Sequence, residues 1–400
     1  MLISNLNSKY NPLYFLAALG AGGLAVSFFM YPNFLIAHKG TPMLTFDQIY
    51  PLLMGEDKLT AILLSGALVV IALLAILHFR LLFWNISEYR KFKKTDEYQA
   101  LIKSNREISL MVIPLTLAMS VNVSFILGAV FVPGLWNVVE YLFPVAIATF
   151  LVIGVYALKI LGDYFSRIFI KGDFKFSENN NFTQMIAIFA LTMVAVGLAA
   201  PGAMSHHKEI NAIGMFFSIF FLSIAIILMV IKMTIAFKST LKHGVDKGTS
   251  ASLWMMISIL TLMGITIIRL SMGLHHGFEE TLSKPSFFII TSAVVSLQIF
   301  IGIIGYKVMK SIGYFRDHSK GESANAGSFA LICPGVAFFV FGMFFLVFGL
   351  VQNDLVTMMS PTFFVLLAPL VVVQLQTLRV FFRLLCKVTA CGPCKVSIVA

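Results

Sequence analysis

The chain of 400 residues is 59% hydrophobic and only 12% charged, whereas soluble domains typically carry about 25% charged residues. This composition excludes an ordinary soluble enzyme or a soluble nucleic-acid-binding domain. The formal net charge of +11 comes mostly from bases in the gaps between long apolar stretches, so it indicates membrane topology and no nucleic-acid partner.

Ten apolar stretches reach about the 20 residues that a membrane-spanning helix needs. Only helices and closed barrels satisfy the backbone within lipid, and barrel strands are shorter and alternate in polarity, so helices are predicted. We expect an all-α polytopic fold of five helical hairpins, with one transmembrane domain over 1–385 and a short cytosolic tail over 386–400. The predicted spans are 13–37, 59–83, 109–132, 138–162, 185–204, 210–237, 252–274, 286–306, 328–351 and 362–385.

Basic residues alternate between the gaps that separate these spans. Nineteen Lys and Arg residues lie at the N-terminus, in the gaps after the even spans and in the C-terminal tail, against four in the gaps after the odd spans. Because cytoplasmic loops carry the excess of bases, both termini are predicted to be cytosolic, in the plasma (inner) membrane.

Helix-breaking and polar residues concentrate in the odd spans. Breakers are tolerated where protein or water satisfies the freed backbone groups, which predicts that the odd helices form an inner ring and the even helices face lipid. Gly and Pro are also common in membrane helices in general, so packing alone is an alternative explanation. The residues concerned are Gly20, Gly22, Gly23, Pro114, Ser120, Asn122, Ser124, Pro201, Gly202, Gly264, Arg269, Pro334, Gly335 and Gly342.

Short motifs in the odd spans carry a family resemblance. They are Tyr14-Phe15 followed by Leu19-Gly20, Ile113-Pro114-Leu115-Thr116, His275-His276-Gly277, and the segment Gly335-Val-Ala-Phe-Phe-Val-Phe-Gly342. In these motifs the chain resembles the tellurite-resistance/dicarboxylate transporters, a family that includes the plant slow anion channels and the bacterial TehA proteins. The resemblance implies odd helices around a central pore, frequent homotrimers, and small inorganic anions, oxyanions or dicarboxylates as substrates.

An aromatic constriction is expected in the ninth span. The resemblance places the family's gating phenylalanine at Phe341, before Gly342. A large ring across a narrow pore blocks passage by its bulk and by dewetting. One helix face carries Pro334, Phe338, Phe341, Phe345 and Phe348, although a packing stripe is an alternative in a chain with 39 Phe residues.

The charge pattern within the spans favours anions or neutral solutes, since no span carries the carboxylate ring expected of a cation pathway. Arg269 is either a group that attracts anions or an interfacial arginine whose head reaches water. Asn122 is a further candidate pore residue, and backbone groups freed at Pro114, Pro201 and Pro334 are expected to contact the ion. The predicted function is an anion channel or transporter, not an enzyme, that requires no cofactor or metal.

Two further groups leave alternatives open. The pairs His206-His207 and His275-His276 follow odd spans on the predicted outer side, where they are either pH-responsive or without a special role. Cys391-Gly-Pro-Cys394, with nearby Cys386, is a redox pair, half of a metal site, a lipid anchor or an inert tail. This tail also gives the chain a narrower resemblance to the TsoY (seleno)proteins. The alternative function is therefore a membrane redox protein that performs thiol–disulfide or chalcogen chemistry.

Overall fold

The computed structural model describes residues 2–38, 40–175, 183–320 and 323–389. Within these ranges the protein is all-α, without strands, and ten helices are long and apolar enough to cross a membrane, as predicted. The α-helices are α1 (Phe15–Leu35), α2 (Phe46–Leu53), α3 (Lys58–Phe92), α4 (Asp96–Leu101), α5 (Val112–Phe131), α6 (Val139–Lys171), α7 (Ile186–Met204), α8 (Lys208–His243), α9 (Met255–Phe278), α10 (Lys284–Ser311), α11 (Ile332–Phe344) and α12 (Pro361–Thr389). All except the short α2 and α4 are spanning helices, and α11 continues as a π-helix over Phe345–Val351.

Each predicted span corresponds to one of the ten spanning helices, but several even-numbered spans are longer than predicted. The second span continues to Phe92 and the fourth to Lys171. Their extensions carry basic residues, which have good helix propensity and long side chains that reach water from a helix near the membrane surface. The sequence between the first two spans contains α2, which begins with a capping box formed by Thr45 and Gln48.

Five of the spanning helices form a closed inner ring. Its order is α1, α5, α7, α9 and α11, with α11 returning to contact α1. The other five pack outside it, each against its hairpin partner: α3 on α1, α6 on α5, α8 on α7, α10 on α9 and α12 on α11. In the most apolar stretch of each helix, 61% to 94% of the inner-ring residues are buried, against 17% to 39% of the outer ones. The prediction that the odd spans form the inner ring is confirmed.

All five inner helices run in the same direction, and both ends of the described chain lie at one end of the ring. The backbone N–H of Ile3 donates to the carbonyl of Thr389 at 2.9 Å. The buried carboxylate of Glu88 accepts the backbone N–H groups of Asn5 and Leu6 at 3.1 and 2.7 Å. The two ends of the described chain therefore lie on the same side of the spanning helices.

The inner helices share a second feature, since a 3-10 segment leads into each of them. Pro114 and Pro334 each occupy the third residue of the α-helix that follows. Near a helix start the missing N–H of proline costs little, so these prolines mark helix entries and do not kink the middle of a span. The 3-10 segments are Pro12–Tyr14, Asn105–Met111, Thr183–Met185, Lys247–Trp254 and Ala326–Leu331.

A histidine from the outer layer ties two inner helices together. His78 of α3 is fully buried, and its Nδ1 lies 2.7 Å from the carbonyl oxygen of Ala18 in α1. Its Nε2 lies 2.8 Å from the hydroxyl of Ser120 in α5. A Cβ atom on Gly22 would come within 2.7 Å of the imidazole. The glycine therefore lets an outer side chain reach between α1 and α5 and satisfy polar groups of both.

Candidate functional site

The inner ring encloses a cavity of about 290 Å³. Every inner helix contributes to its wall, as Gly23, Met119, Met193, Ile265 and Val336 illustrate. Near the N-terminal ends of these helices the wall includes Leu19, Ser258 and Cys333, and near their C-terminal ends it includes Met43 and Met204. The cavity therefore extends along the ring axis, which is the position that a transport pathway requires.

The outer helix α6 also reaches this cavity. Phe150 of α6 lies over Gly197 of α7, where an added Cβ atom would come within 2.3 Å of the ring. Both residues line the cavity. Any side chain at position 197 would displace this phenylalanine, so the glycine is required for the present shape of the wall.

The cavity wall is mostly apolar, formed by methionine, phenylalanine and aliphatic side chains. Its polar side chains are few, and among the described residues no Asp, Glu or Lys lines it. The amide of Asn122 donates to the sulfur of Met193 at 3.5 Å, a weak partner that leaves its polarity available to the cavity. The polar lining residues are Asn33, Asn122, Ser258, Thr261 and Arg269.

Arg269 places a positive charge in this wall. Its Nη1 atom donates to the carbonyl of Val196 at 2.7 Å, which ties α9 to α7. None of the ion pairs between described residues involves Arg269. Arg269 is half-buried, and a positive charge without a counter-ion in apolar surroundings attracts negative charge.

Phe341 does not line this cavity. The residue is fully buried, and a Cβ atom on Gly264 of α9 would lie 2.4 Å from its ring. The ring therefore fills the contact between α9 and α11. The cavity face of α11 instead carries Val340 and Phe344, followed by Phe348 in the π-helix. A constriction at Phe341 stays a prediction, and in α11 and its π-helical continuation the aromatic side chains that line the cavity are Phe344 and Phe348.

The other predicted pore residues fall into two groups, those that line the cavity and those that do not. Asn122 and Arg269 line the cavity, and so does Pro201, which lies inside α7. Gly342 faces α12, where an added Cβ atom would come within 2.5 Å of Leu370. Four further candidates lie outside the cavity wall: Phe338, Phe345, Pro334 and Pro114.

Sequence reasoning missed Ser258, Thr261, Cys333 and Phe344, all of which line the cavity. A signal was available for the first two. Residues three and four positions apart share a helix face, and stepping back from Arg269 in such intervals reaches Thr261 and then Ser258. No comparable marker distinguished Phe344 among the many phenylalanines of its helix.

The predicted histidine pairs meet beyond the C-terminal end of the cavity. His276 Nε2 lies 2.9 Å from His206 Nδ1, and the backbone N–H of His206 donates to Glu140 at 2.8 Å. The described residues contain no group of three or more His, Cys, Asp or Glu side chains able to hold a metal ion. The histidines thus join α7 to α9 across the end of the ring.

The predicted redox motif, Cys391 and Cys394, lies outside the described residues. Cys386 is half-buried near the end of α12. The redox, metal-binding and lipid-anchor roles of these cysteines therefore stay predictions.

No protein-family model matches the chain, and a search of curated proteins also returned no match. The resemblance to the tellurite-resistance/dicarboxylate transporters thus remains a prediction from short motifs. Function is therefore argued from the cavity itself.

Proposed function

We propose that this membrane protein is an anion channel or transporter whose pathway runs through the inner ring. The observation that carries the proposal is Arg269, a cation that has no ion-pair partner among the described residues and lines an otherwise largely apolar central cavity. Five of the ten spanning helices form the ring around that cavity, and the other five pack outside it as the rest of the scaffold.

Electrostatics favour anions over cations in this cavity. In surroundings of low dielectric constant, a single positive charge attracts an anion and repels a cation far more strongly than in water. No lining carboxylate offsets Arg269 among the described residues. The macrodipoles of five parallel inner helices add to this preference near their N-terminal ends, where helix dipoles favour negative charge.

The charge balance also suggests which anions fit. One guanidinium neutralises one negative charge, so a monovalent anion such as chloride or nitrate leaves no net charge in the cavity. The second carboxylate of a dicarboxylate would have no cationic partner on this wall and would have to be desolvated at considerable cost. Small monovalent anions are therefore the proposed substrates, with a plasma-membrane location, cytosolic termini and a homotrimeric assembly as further expectations.

Labelling of Cys333 tests whether the pathway passes through this cavity. The chain has four cysteines, and replacing Cys386, Cys391 and Cys394 with serine leaves Cys333 as the only thiol. In vesicles containing this variant, a small methanethiosulfonate reagent is expected to suppress nitrate and chloride efflux, because the added group occupies the cavity. The same variant with Cys333→Ser serves as the control and should be insensitive to the reagent.

Two outcomes of this experiment contradict the proposal. Unchanged efflux after complete labelling of Cys333 would show that anions take another route. Loss of efflux in the unlabelled triple variant, with the protein still folded, would instead favour a function that depends on the cysteine tail.

A further inference from the structure

A second polar residue lines the cavity on the same helix as Arg269. Ser258 is 1% exposed and belongs to the cavity wall. Its hydroxyl oxygen is buried and has no hydrogen-bond partner among the described residues. A buried polar group without a partner is unfavourable, so a ligand that hydrogen-bonds to this hydroxyl when the side chain turns toward the cavity removes that penalty.

Neighbouring hydroxyls on α9 behave differently. Thr266 donates to the carbonyl of Leu262, four residues earlier, at 2.7 Å. The hydroxyl of Thr261 lies 3.1 Å from the carbonyl of Ile257 and 3.0 Å from that of Ala337. Such bonds to the backbone are the usual way in which membrane helices satisfy serine and threonine. Ser258 makes none of them, so its hydroxyl is left without a partner beside the cavity.

The turn that carries Ser258 is held in place from both sides. Gln298 of α10 is fully buried, and its amide donates to the hydroxyl of Thr261 at 2.7 Å and to the carbonyl of Ile257 at 3.2 Å. The bond from Thr261 to Ala337 ties the same turn to α11. The hydroxyl of Ser258 is therefore presented by a rigid part of α9, which favours a defined ligand position.

We propose that Ser258 forms a second anion subsite, at the N-terminal end of the cavity, that exchanges ions with Arg269. This inference rests on the proposed anion pathway. With a rise of 1.5 Å per residue, Ser258 and Arg269 lie about 16 Å apart along α9. A neutral hydroxyl holds an anion more weakly than a guanidinium does. Two unequal sites on one face let an ion enter and still leave, which conduction requires.

Bromide is a suitable probe, because its anomalous scattering distinguishes it from water in diffraction data. In crystals of the full-length protein grown with sodium bromide, we expect one anomalous peak at the Arg269 guanidinium and another within hydrogen-bond distance of Ser258 Oγ. Ser258→Ala should lose only the second peak. Ser271→Ala is the matched control, since Ser271 lies on α9, is half-buried outside the cavity wall and donates to the carbonyl of Ile267; it should retain both.

The same variants give a functional readout in vesicles. Loss of one hydrogen bond to an anion corresponds to roughly a tenfold to hundredfold weaker affinity. We therefore expect the half-saturating bromide concentration for efflux to rise by about that factor in Ser258→Ala and to stay unchanged in Ser271→Ala.

The outcomes separate this inference from the proposed function. A peak at Arg269 alone, with only a water molecule at Ser258, would overturn the second subsite and leave the anion pathway standing. Absence of both peaks would contradict both proposals. An unchanged half-saturating concentration in Ser258→Ala would show that the subsite takes no part in transport.

Discussion

Arg269→Gln is expected to reduce anion flux by about tenfold to a hundredfold, because a hydrogen bond to a charged group contributes roughly 1.5–3 kcal/mol. The guanidinium lines the cavity and has no carboxylate partner among the described residues. Arg269 is also the only positively charged side chain among the described lining residues, so the substitution removes the positive charge of the cavity wall. Glutamine keeps an N–H donor in the wall but carries no charge. The measurement is chloride and nitrate efflux from vesicles that contain equal amounts of folded protein.

Arg269→Lys is the matched control for charge. It keeps the positive charge and is expected to retain more flux than Arg269→Gln, with altered selectivity because an ammonium is a more strongly hydrated point charge. Thermal unfolding of both variants checks that each still folds, since the bond from Arg269 to Val196 ties α9 to α7. Wild-type flux in Arg269→Gln would contradict the proposal that this residue attracts the ion.

Phe344→Ala is expected to increase anion flux. The ring of Phe344 lines the cavity, with centroids 5.3 Å from Phe34 and 5.4 Å from Phe348. Removing it deletes the central member of an aromatic cluster near the C-terminal end of the cavity. The widened passage should be less obstructed and less prone to dewetting. Current or efflux under chloride and nitrate gradients measures the effect.

Phe341→Ala separates this prediction from a constriction at Phe341. Its ring fills the contact between α9 and α11 over Gly264, so truncation leaves a void there. Phe→Ala substitutions in protein cores cost about 3–5 kcal/mol of stability, and a lower unfolding temperature is expected. A larger gain of flux in Phe341→Ala than in Phe344→Ala, with stability unchanged, would support a constriction at Phe341.

The positions of the spans and their inner or outer placement were accessible from the sequence. Long apolar stretches are required by the thickness of the bilayer, and the contrast between odd and even spans reflects whether a helix packs against protein on all sides. Arg269 and Asn122 were recognisable because a polar side chain in an apolar helix is costly unless it faces protein or water. These two are the predicted pore side chains, apart from Pro201, that line the cavity.

The rotation of each helix was not accessible in the same way. Successive residues differ by about 100° around a helix, and α11 is apolar on every side, so its sequence does not show which stripe faces the ring axis. The stripe through Phe341 packs between helices, whereas the stripe through Val340 and Phe344 lines the cavity. The spacing from Arg269 could have placed Ser258 on the cavity face. A membrane-embedded serine usually bonds to its own backbone, however, and only the three-dimensional structure shows that this one does not.

The contact between α1 and α11 has a consequence for how the protein is made. The ring is closed by its first and last members, which are the first and ninth spanning helices in order of synthesis. Until the final hairpin has entered the membrane, the cavity wall has a gap through which Arg269 and Ser258 are open to lipid. The first four hairpins must therefore persist as an incomplete ring until the fifth is inserted. In a chain truncated before α11, the polar groups that the finished ring encloses would be exposed to lipid.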